Sequence, residues 1–242
     1  MILAAAQLRS EAGDIALNID RHLEFVDEAK RYDADIIVFP ELSMSGYEPT
    51  LASSLETMAD DKRFDPLKRR AQALAMTICA GIPLKTNSKP EIGMMVWRPD
   101  GQIETYAKQI LHEDELPFFS SGTRELTIGI GGQCLAPAIC YESLQPGHAE
   151  MAAKSGANVY LGSVAKPEGG MRKALAHYPA IAKQHDMSVI VANAVGPSDS
   201  FVSVGQSAVW NSSGECLGSC NETDEALLVA DMRDGAVKIL DL

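Results

Sequence analysis

The chain has 242 residues, a formal net charge of −12 and a hydrophobic content of 46%. Nonspecific nucleic-acid binding needs a basic surface, so this acidic balance predicts that the protein has no nucleic-acid partner. No apolar stretch approaches the ~18 residues that a membrane span requires, and the N-terminus lacks the basic flank of a signal peptide, which predicts a cytoplasmic protein without membrane association.

The cysteines give no indication of a disulfide framework or a metal centre. There are five of them, an odd number, which fits reduced thiols in the cytoplasm. Cys216 and Cys220 are spaced like half of a metal site, but no second ligand pair is near them in the sequence. We therefore expect no metal site.

Helical and strand patterns alternate along the chain. Apolar residues at helical spacing predict helices over 18–31, 66–75, 146–154 and 171–185. Apolar runs predict a strand at the start of the chain and further strands over 35–40, 76–83, 134–139, 159–163, 188–193, 207–210 and 227–231. An Asp-Gly turn joins 93–98 to 102–108 in a predicted hairpin, and 127–130 pairs with 134–139 in a similar way.

The alternation extends through both halves of the chain without a linker-like or low-complexity stretch. This pattern predicts an α/β fold in which mixed sheets are covered by helices. We expect a single domain over 1–242.

Three chemically capable side chains directly follow predicted strands. Glu41 comes after a buried strand and Pro40, Lys108 ends the second strand of the hairpin, and Cys140 ends the apolar run 135–139. In α/β sheets, ligands and catalytic groups collect at the C-terminal edge of the strands, so these residues are expected to lie together. Taken singly, each also fits an ordinary explanation: a surface glutamate, a solvated lysine and an inert core cysteine.

Together, a glutamate, a lysine and a cysteine form a workable set for acyl transfer. A partly buried Glu41, with its pKa raised, can take the proton of the Cys140 thiol. An ammonium and a backbone N–H can stabilise the oxyanion of the tetrahedral intermediate. An alternative is a cysteine–histidine mechanism with His148 as the base, although it leaves Glu41 and Lys108 without a role.

Three segments resemble the signature blocks of the carbon–nitrogen hydrolase (nitrilase) family. They are 39–47 (FPELSMSGY), 106–108 (YAK) and 139–142 (ICYE), and their order and spacing also match across essentially the whole chain. The resemblance implies a four-layer α-β-β-α sandwich that needs no cofactor and assembles into a homodimer or a higher homo-oligomer.

The same resemblance implies roles for individual residues. Glu41 would be the general base, Lys108 the oxyanion stabiliser and Cys140 the nucleophile, with the Tyr141 backbone N–H completing the oxyanion hole. Family members carry a second glutamate before the cysteine. Glu115 is favoured for that role by its spacing to the following phenylalanines, and Glu113 is the alternative.

Position along the chain also gives candidates for the substrate pocket. They are Tyr47, Phe119, Tyr141 and Ser163. Many relatives carry an aromatic residue after the strand that ends here at Ser163, whereas this chain continues as 164–170 (VAKPEGG). The glycine pair at 169–170 predicts a mobile loop beside the pocket. The chain ends at Leu242, from which we expect no room for the synthetase domain of some glutamine-hydrolysing relatives.

The resulting functional hypothesis is hydrolysis of a small linear amide or carbamoyl amine through a Cys140 thioester. Ammonia or an amine would be released, with the substrate and water as the only small-molecule partners. Two alternatives stay open. An acyltransferase would pass the same thioester to another acceptor, and a binding protein would keep the fold with an idle site.

Overall fold

The computed structural model describes residues 1–242 and contains two large β-sheets, a small hairpin sheet and five α-helices. The α-helices are α1 (Ile15–Arg31), α2 (Ala52–Leu55), α3 (Asp65–Leu74), α4 (Pro146–Lys154) and α5 (Glu168–His185). The strands of the first half are β1 (Ile2–Gln7), β2 (Ile36–Val38), β3 (Thr77–Leu84), β4 (Glu91–Trp97), β5 (Ile103–Ala107), β6 (Ile128–Ile130) and β7 (Gln133–Ile139). Those of the second half are β8 (Val159–Val164), β9 (Ser188–Asn193), β10 (Val195–Ser198), β11 (Phe201–Val204), β12 (Ala208–Trp210), β13 (Cys216–Ser219), β14 (Ala226–Asp231) and β15 (Val237–Asp241).

Both large sheets are mixed, as predicted. One has the order β15-β14-β1-β2-β3-β4-β5, and the other has the order β13-β12-β9-β8-β7-β6. In the first sheet β1, β2 and β3 run parallel, and in the second β7, β8 and β9 do. The C-terminal ends of parallel strands lie side by side, so in each sheet the residues that follow the three parallel strands can converge on one site.

The two sheets pack face to face with helices on both outer sides. Alternating residues of β1 and β2 point to opposite faces, so Leu3 and Ile36 join a core shared with Val159 and Leu161 of the other sheet. The outer face of the first sheet packs against α1 and α3, and the outer face of the second packs against α4 and α5. These contacts form the four layers of an α-β-β-α sandwich, which confirms the predicted fold.

Two helices, α1 and α5, begin three residues earlier than the sequence predicts, and a capping side chain accounts for the start of α1. α1 begins at Ile15 because the Asp14 side chain accepts a hydrogen bond from the Leu17 backbone N–H at 3.0 Å. α5 begins at Glu168, so Gly169 and Gly170 lie in its first turn. The prediction of a loop at this glycine pair was therefore wrong.

Four strands were missed by the sequence reading: β10, β11, β13 and β15. β13 and β15 each lie at one edge of a large sheet and have no fully buried residue, so neither carries a continuous apolar run. The strand predicted to close the chain, β14, pairs instead with both β1 and β15. None of the helices combines the length and apolar character needed to cross a bilayer.

Candidate active site

Glu41 lies in a tight turn that begins after β2 and packs directly on β3. Backbone hydrogen bonds of 2.9 Å join Phe39 to Cys79 and Met44 to Gly81. A Cβ at Gly81 would lie 2.2 Å from the Leu42 nitrogen, so only glycine permits this approach. Leu42 itself adopts a left-handed conformation with φ 53°. The turn buries the Glu41 side chain, which is 2% exposed.

Lys108 follows β5, and its backbone is held on both sides. Its N–H donates to the Ile92 carbonyl at 2.8 Å, and its carbonyl accepts from the Gly122 N–H at 2.8 Å. A Cβ at Gly122 would lie 2.4 Å from the Ala107 carbonyl oxygen, so glycine is again required for the contact. The Lys108 side chain is fully buried between the two sheets.

Cys140 occupies a strained turn at the end of β7. Its φ is 46°, a left-handed conformation that is costly for a residue with a Cβ and that often occurs at functional sites. The Cys140 N–H donates to the Ser163 carbonyl at 3.0 Å, and the Ser143 hydroxyl donates to the Cys140 carbonyl at 2.6 Å. The next backbone N–H, of Tyr141, donates to no group of the chain and is free for a ligand.

The glutamates and Lys108 form a buried charge cluster. The Lys108 Nζ lies 2.8 Å from Glu41 Oε1 and 2.5 Å from Glu115 Oε1. Glu115 also accepts from the Tyr47 hydroxyl at 3.1 Å and from the His112 backbone N–H at 2.7 Å. Glu113 is exposed and makes none of these contacts. Of the two candidates for the second glutamate, the structure therefore brings Glu115 to the site.

Burial and neighbouring charges shift the pKa values of this cluster. Burial raises the pKa of Glu41 to about 7, although the Lys108 charge opposes the shift. Glu41 Oε2 is buried without a hydrogen-bond partner. Burial disfavours the charged form of Lys108, but the charges of Glu41, Cys140 and Glu115 outweigh it and raise the Lys108 pKa. The Glu41 carboxyl is therefore near the midpoint of its titration at neutral pH, which suits a general base.

A cavity of about 270 Å³ opens in front of Cys140. Two aromatic pairs flank it: the Tyr47 and Phe201 rings are 5.5 Å apart, and the His112 and Tyr141 rings are 4.9 Å apart. Glu115 lies in the cavity wall, whereas Glu41 and Lys108 lie behind it. The cavity can admit a small molecule to the sulfur while Glu41 and Lys108 stay shielded from water.

Of the four residues expected to line the substrate pocket, two line the cavity and two do not. Tyr47 and Tyr141 line the cavity. Phe119 is 2% exposed within the core between the sheets, and the buried Ser163 hydroxyl donates to the Phe39 carbonyl at 2.8 Å. The expectation that Phe119 and Ser163 line the pocket is corrected accordingly, because neither contributes to the cavity wall.

His148 does not fit the alternative role of base. Its Nε2 contacts the Tyr106 hydroxyl at 2.9 Å, and its Nδ1 contacts the Tyr160 hydroxyl at 2.7 Å. Both ring nitrogens are therefore engaged, and no hydrogen bond joins the ring to Cys140. The cysteine–histidine alternative has no geometric support.

Two residues near Cys140 were missed by the sequence reading. The buried Glu142 carboxylate accepts from the Ile139 and Gln109 backbone N–H groups at 2.8 and 2.6 Å, which ties the cysteine turn to the segment after Lys108. Lys166 is 4% exposed, and its Nζ lies 3.5 Å from Cys140 Sγ. The sequence signal that could have identified Lys166 is its place two residues after β8, a strand that is buried along its whole length.

Comparisons with known proteins agree with this architecture. A family model described as carbon-nitrogen hydrolase matches residues 2–238. The amidase NitN from Nesterenkonia sp. AN1 superposes with a TM-score of 0.87 at 24% identity, over 97% of this chain and 93% of that one. At this identity, the likeness shows a shared fold.

Curated relatives include both amidases and longer enzymes. The glutamine-dependent NAD(+) synthetase of Aquifex aeolicus is 27% identical over an alignment of 252 positions, gaps included, which covers 99% of this chain and 44% of that protein. The 2-oxoglutaramate amidase of Bacillus subtilis is 27% identical over 179 residues, covering 71% of this chain and 63% of that protein. The chain thus spans less than half the length of the synthetase it matches.

Proposed function

Because the chain belongs to the carbon–nitrogen hydrolase family, we propose that it hydrolyses a small linear amide or carbamoyl amine, with Cys140 as the nucleophile. One observation carries the proposal: a strained, cavity-lining cysteine lies beside a buried Glu41–Lys108–Glu115 cluster. The cluster offers a base with its pKa near neutrality and a fixed ammonium.

The first half of the proposed reaction forms a thioester. Glu41 takes the thiol proton, and the Cys140 sulfur attacks the amide carbon while the carbonyl π electrons move to oxygen. Lys108 and the free Tyr141 N–H stabilise the resulting oxyanion. Glu41 then returns the proton to the nitrogen, the C–N bond breaks, and ammonia or an amine leaves.

The second half consumes water. Glu41 takes a proton from a water molecule while the water oxygen attacks the thioester carbon. Lys108 and the Tyr141 N–H stabilise the second oxyanion. Collapse of this intermediate breaks the C–S bond and releases the carboxylic acid, while the proton on Glu41 returns to sulfur. Glu115 touches Lys108 rather than the reacting carbon in this scheme, and its charge keeps the ammonium ionised and in place.

The size of the cavity supports a small acyl group. Its volume of about 270 Å³ falls just below the range common for drug-sized ligands. The relatives' names add glutamine and 2-oxoglutaramate to the substrates that merit testing. Simple aliphatic amides, ureido acids and nitriles complete the panel.

The test is ammonia release from this panel by the parent protein and by two variants. Cys140→Ala removes the proposed nucleophile, and Cys216→Ala removes an exposed cysteine as a matched control. We expect release by the parent and by Cys216→Ala, and none by Cys140→Ala. Activity that appears only after an acceptor amine or thiol is added would instead indicate acyl transfer. Tight substrate binding without turnover by the parent would indicate an idle site.

We also propose that 1–242 forms one domain and that the protein is a cytoplasmic homodimer. The single-domain proposal is supported by the core between the sheets, which draws residues from both ends of the chain. One cooperative unfolding transition and a light-scattering mass of twice 26.0 kDa are the expected results. Two separate transitions or a monomer mass would contradict these proposals.

A further inference from the structure

A second buried lysine lies at the proposed nucleophile. Lys166 follows β8, and its Nζ lies 3.2 Å from the Cys140 carbonyl oxygen and 3.5 Å from Cys140 Sγ. The residue is 4% exposed and forms no salt bridge with any carboxylate. Its ammonium therefore has a carbonyl oxygen and a sulfur as its only hydrogen-bond acceptors within the chain.

The backbone of Lys166 is fixed in this position. The fully buried Asn193 accepts from the Lys166 N–H at 2.9 Å and donates to the Lys166 carbonyl at 3.3 Å. The Val204 N–H donates to the same carbonyl at 3.1 Å. Because three hydrogen bonds hold the main chain and the side chain is buried, the surrounding structure fixes the ammonium beside the sulfur.

The charges of the site leave Lys166 without a partner. Lys108 already contacts the carboxylates of Glu41 and Glu115, at 2.8 and 2.5 Å. A buried ammonium with no counter-ion is costly, whereas an opposite charge that forms next to it is strongly favoured. The group beside Lys166 that can gain a negative charge is the Cys140 thiol.

We propose that Lys166 is a further catalytic residue, the counter-ion of the Cys140 thiolate. This inference rests on the proposed role of Cys140 as nucleophile. When the thiol proton passes to Glu41, the sulfur keeps the bonding pair and the negative charge moves from the carboxylate to the sulfur. Lys166 keeps its three protons and neutralises the new charge at 3.5 Å.

The groups that face the thiol act in opposite directions. Burial, together with the negative charges of Glu41 and Glu115, raises the pKa of Cys140 to about 11, even though Lys166 and then Lys108 act to lower it. Tyr178 of α5 is held neutral because burial raises its pKa, and its hydroxyl contacts Ser143 Oγ at 2.8 Å. Lys166 is thus the strongest of the influences that favour the thiolate.

The experiment measures thiolate formation without turnover. The parent and the variants Lys166→Met and Lys166→Gln react in separate series with neutral iodoacetamide and with anionic iodoacetate from pH 6 to pH 10. Alkylation of the Cys140 peptide is followed by mass spectrometry. Lys183→Met, at an exposed lysine in the last turn of α5, is the matched control. Two neutral replacements are used so that a folding defect in one leaves the other informative.

We expect the alkylation rate to fall roughly 10- to 100-fold at each pH of the series in both Lys166 variants, because less of the thiol is ionised. Lys183→Met keeps the parent profile. An unchanged rate across the series in a folded Lys166 variant would overturn the proposal. So would a loss confined to the anionic reagent iodoacetate, because that result makes Lys166 a binder of substrate carboxylates. If the parent hydrolyses no amide but the iodoacetamide profile shifts, the proposed function fails while this inference stands.

Discussion

The Glu41→Gln substitution is expected to make the protein more stable and nearly inactive. Glutamine keeps the shape of the side chain and an oxygen that can accept a hydrogen bond from Lys108 Nζ, which lies 2.8 Å from Glu41 Oε1 in the parent protein. It cannot take a proton from the thiol. We expect turnover to fall by at least ~10²-fold, the scale for a lost general base.

The stability gain follows from the raised pKa of Glu41. The folded protein holds this proton up to a pKa of about 7, whereas the unfolded chain releases it near 4.5. The folded state therefore binds more protons between these values, and the free energy of unfolding falls as pH rises through the window. The cost of the buried charge is about 1 kcal/mol at pH 5 and about 3 kcal/mol at pH 8. Glutamine removes that cost.

The assay is urea unfolding of the parent and Glu41→Gln at pH 5 and pH 8, combined with ammonia release at pH 8. Both proteins contain the same other titrating groups, so the difference between them isolates Glu41. The variant should be more stable by roughly 3 kcal/mol at pH 8 and by roughly 1 kcal/mol at pH 5. Two results would refute the buried-charge reasoning. One is a variant that is less stable than the parent at pH 8, and the other is a difference in the free energy of unfolding that is the same at both pH values. Near-parental turnover would refute the assignment of the base.

Three further predictions concern Glu41, Lys108 and Glu142. The logarithm of kcat/KM should rise by one per pH unit below about pH 7 and then level off, because Glu41 must be ionised; a flat profile from pH 5 to 8 would contradict this. Lys108→Met should lower turnover by at least ~10²-fold and destabilise the fold by about 3–5 kcal/mol in urea unfolding, since Glu41 and Glu115 lose their counter-ion. Glu142→Ala should cost at least about 3 kcal/mol in the same assay, because it strands the Ile139 and Gln109 N–H groups; a loss below 1 kcal/mol would contradict the structural role.

Local patterns were sufficient to predict most of the central strands and longer helices. β2, β3 and β9 are buried along their whole length or nearly so, so each appears as a continuous apolar run. The edge strand β15 is different, because its stability comes from pairing with β14 rather than from its own apolar side chains. Such a strand cannot be read from its sequence alone.

The site shows a similar division. Glu41, Lys108 and Cys140 were predicted to lie together because each directly follows a strand or its terminal proline, and the structure brings them together. Lys166 escaped prediction because its importance depends on a 3.5 Å approach to a sulfur 26 residues away along the chain. Phe119 was misplaced for the converse reason: its sequence neighbours lie near the site, but its own side chain turns into the core.

The most direct test of the proposed chemistry is to look for the acyl group on Cys140. An amide from the panel that the parent protein hydrolyses is mixed with it, and the reaction is quenched in acid during turnover. The masses of the cysteine-containing peptides are then measured by mass spectrometry. The proposed thioester mechanism predicts an added mass equal to the acyl group on the Cys140 peptide alone, with loss of the adduct once the substrate is consumed. An acyl group on another residue, or ammonia release by Cys140→Ala at the parent's rate, would contradict it.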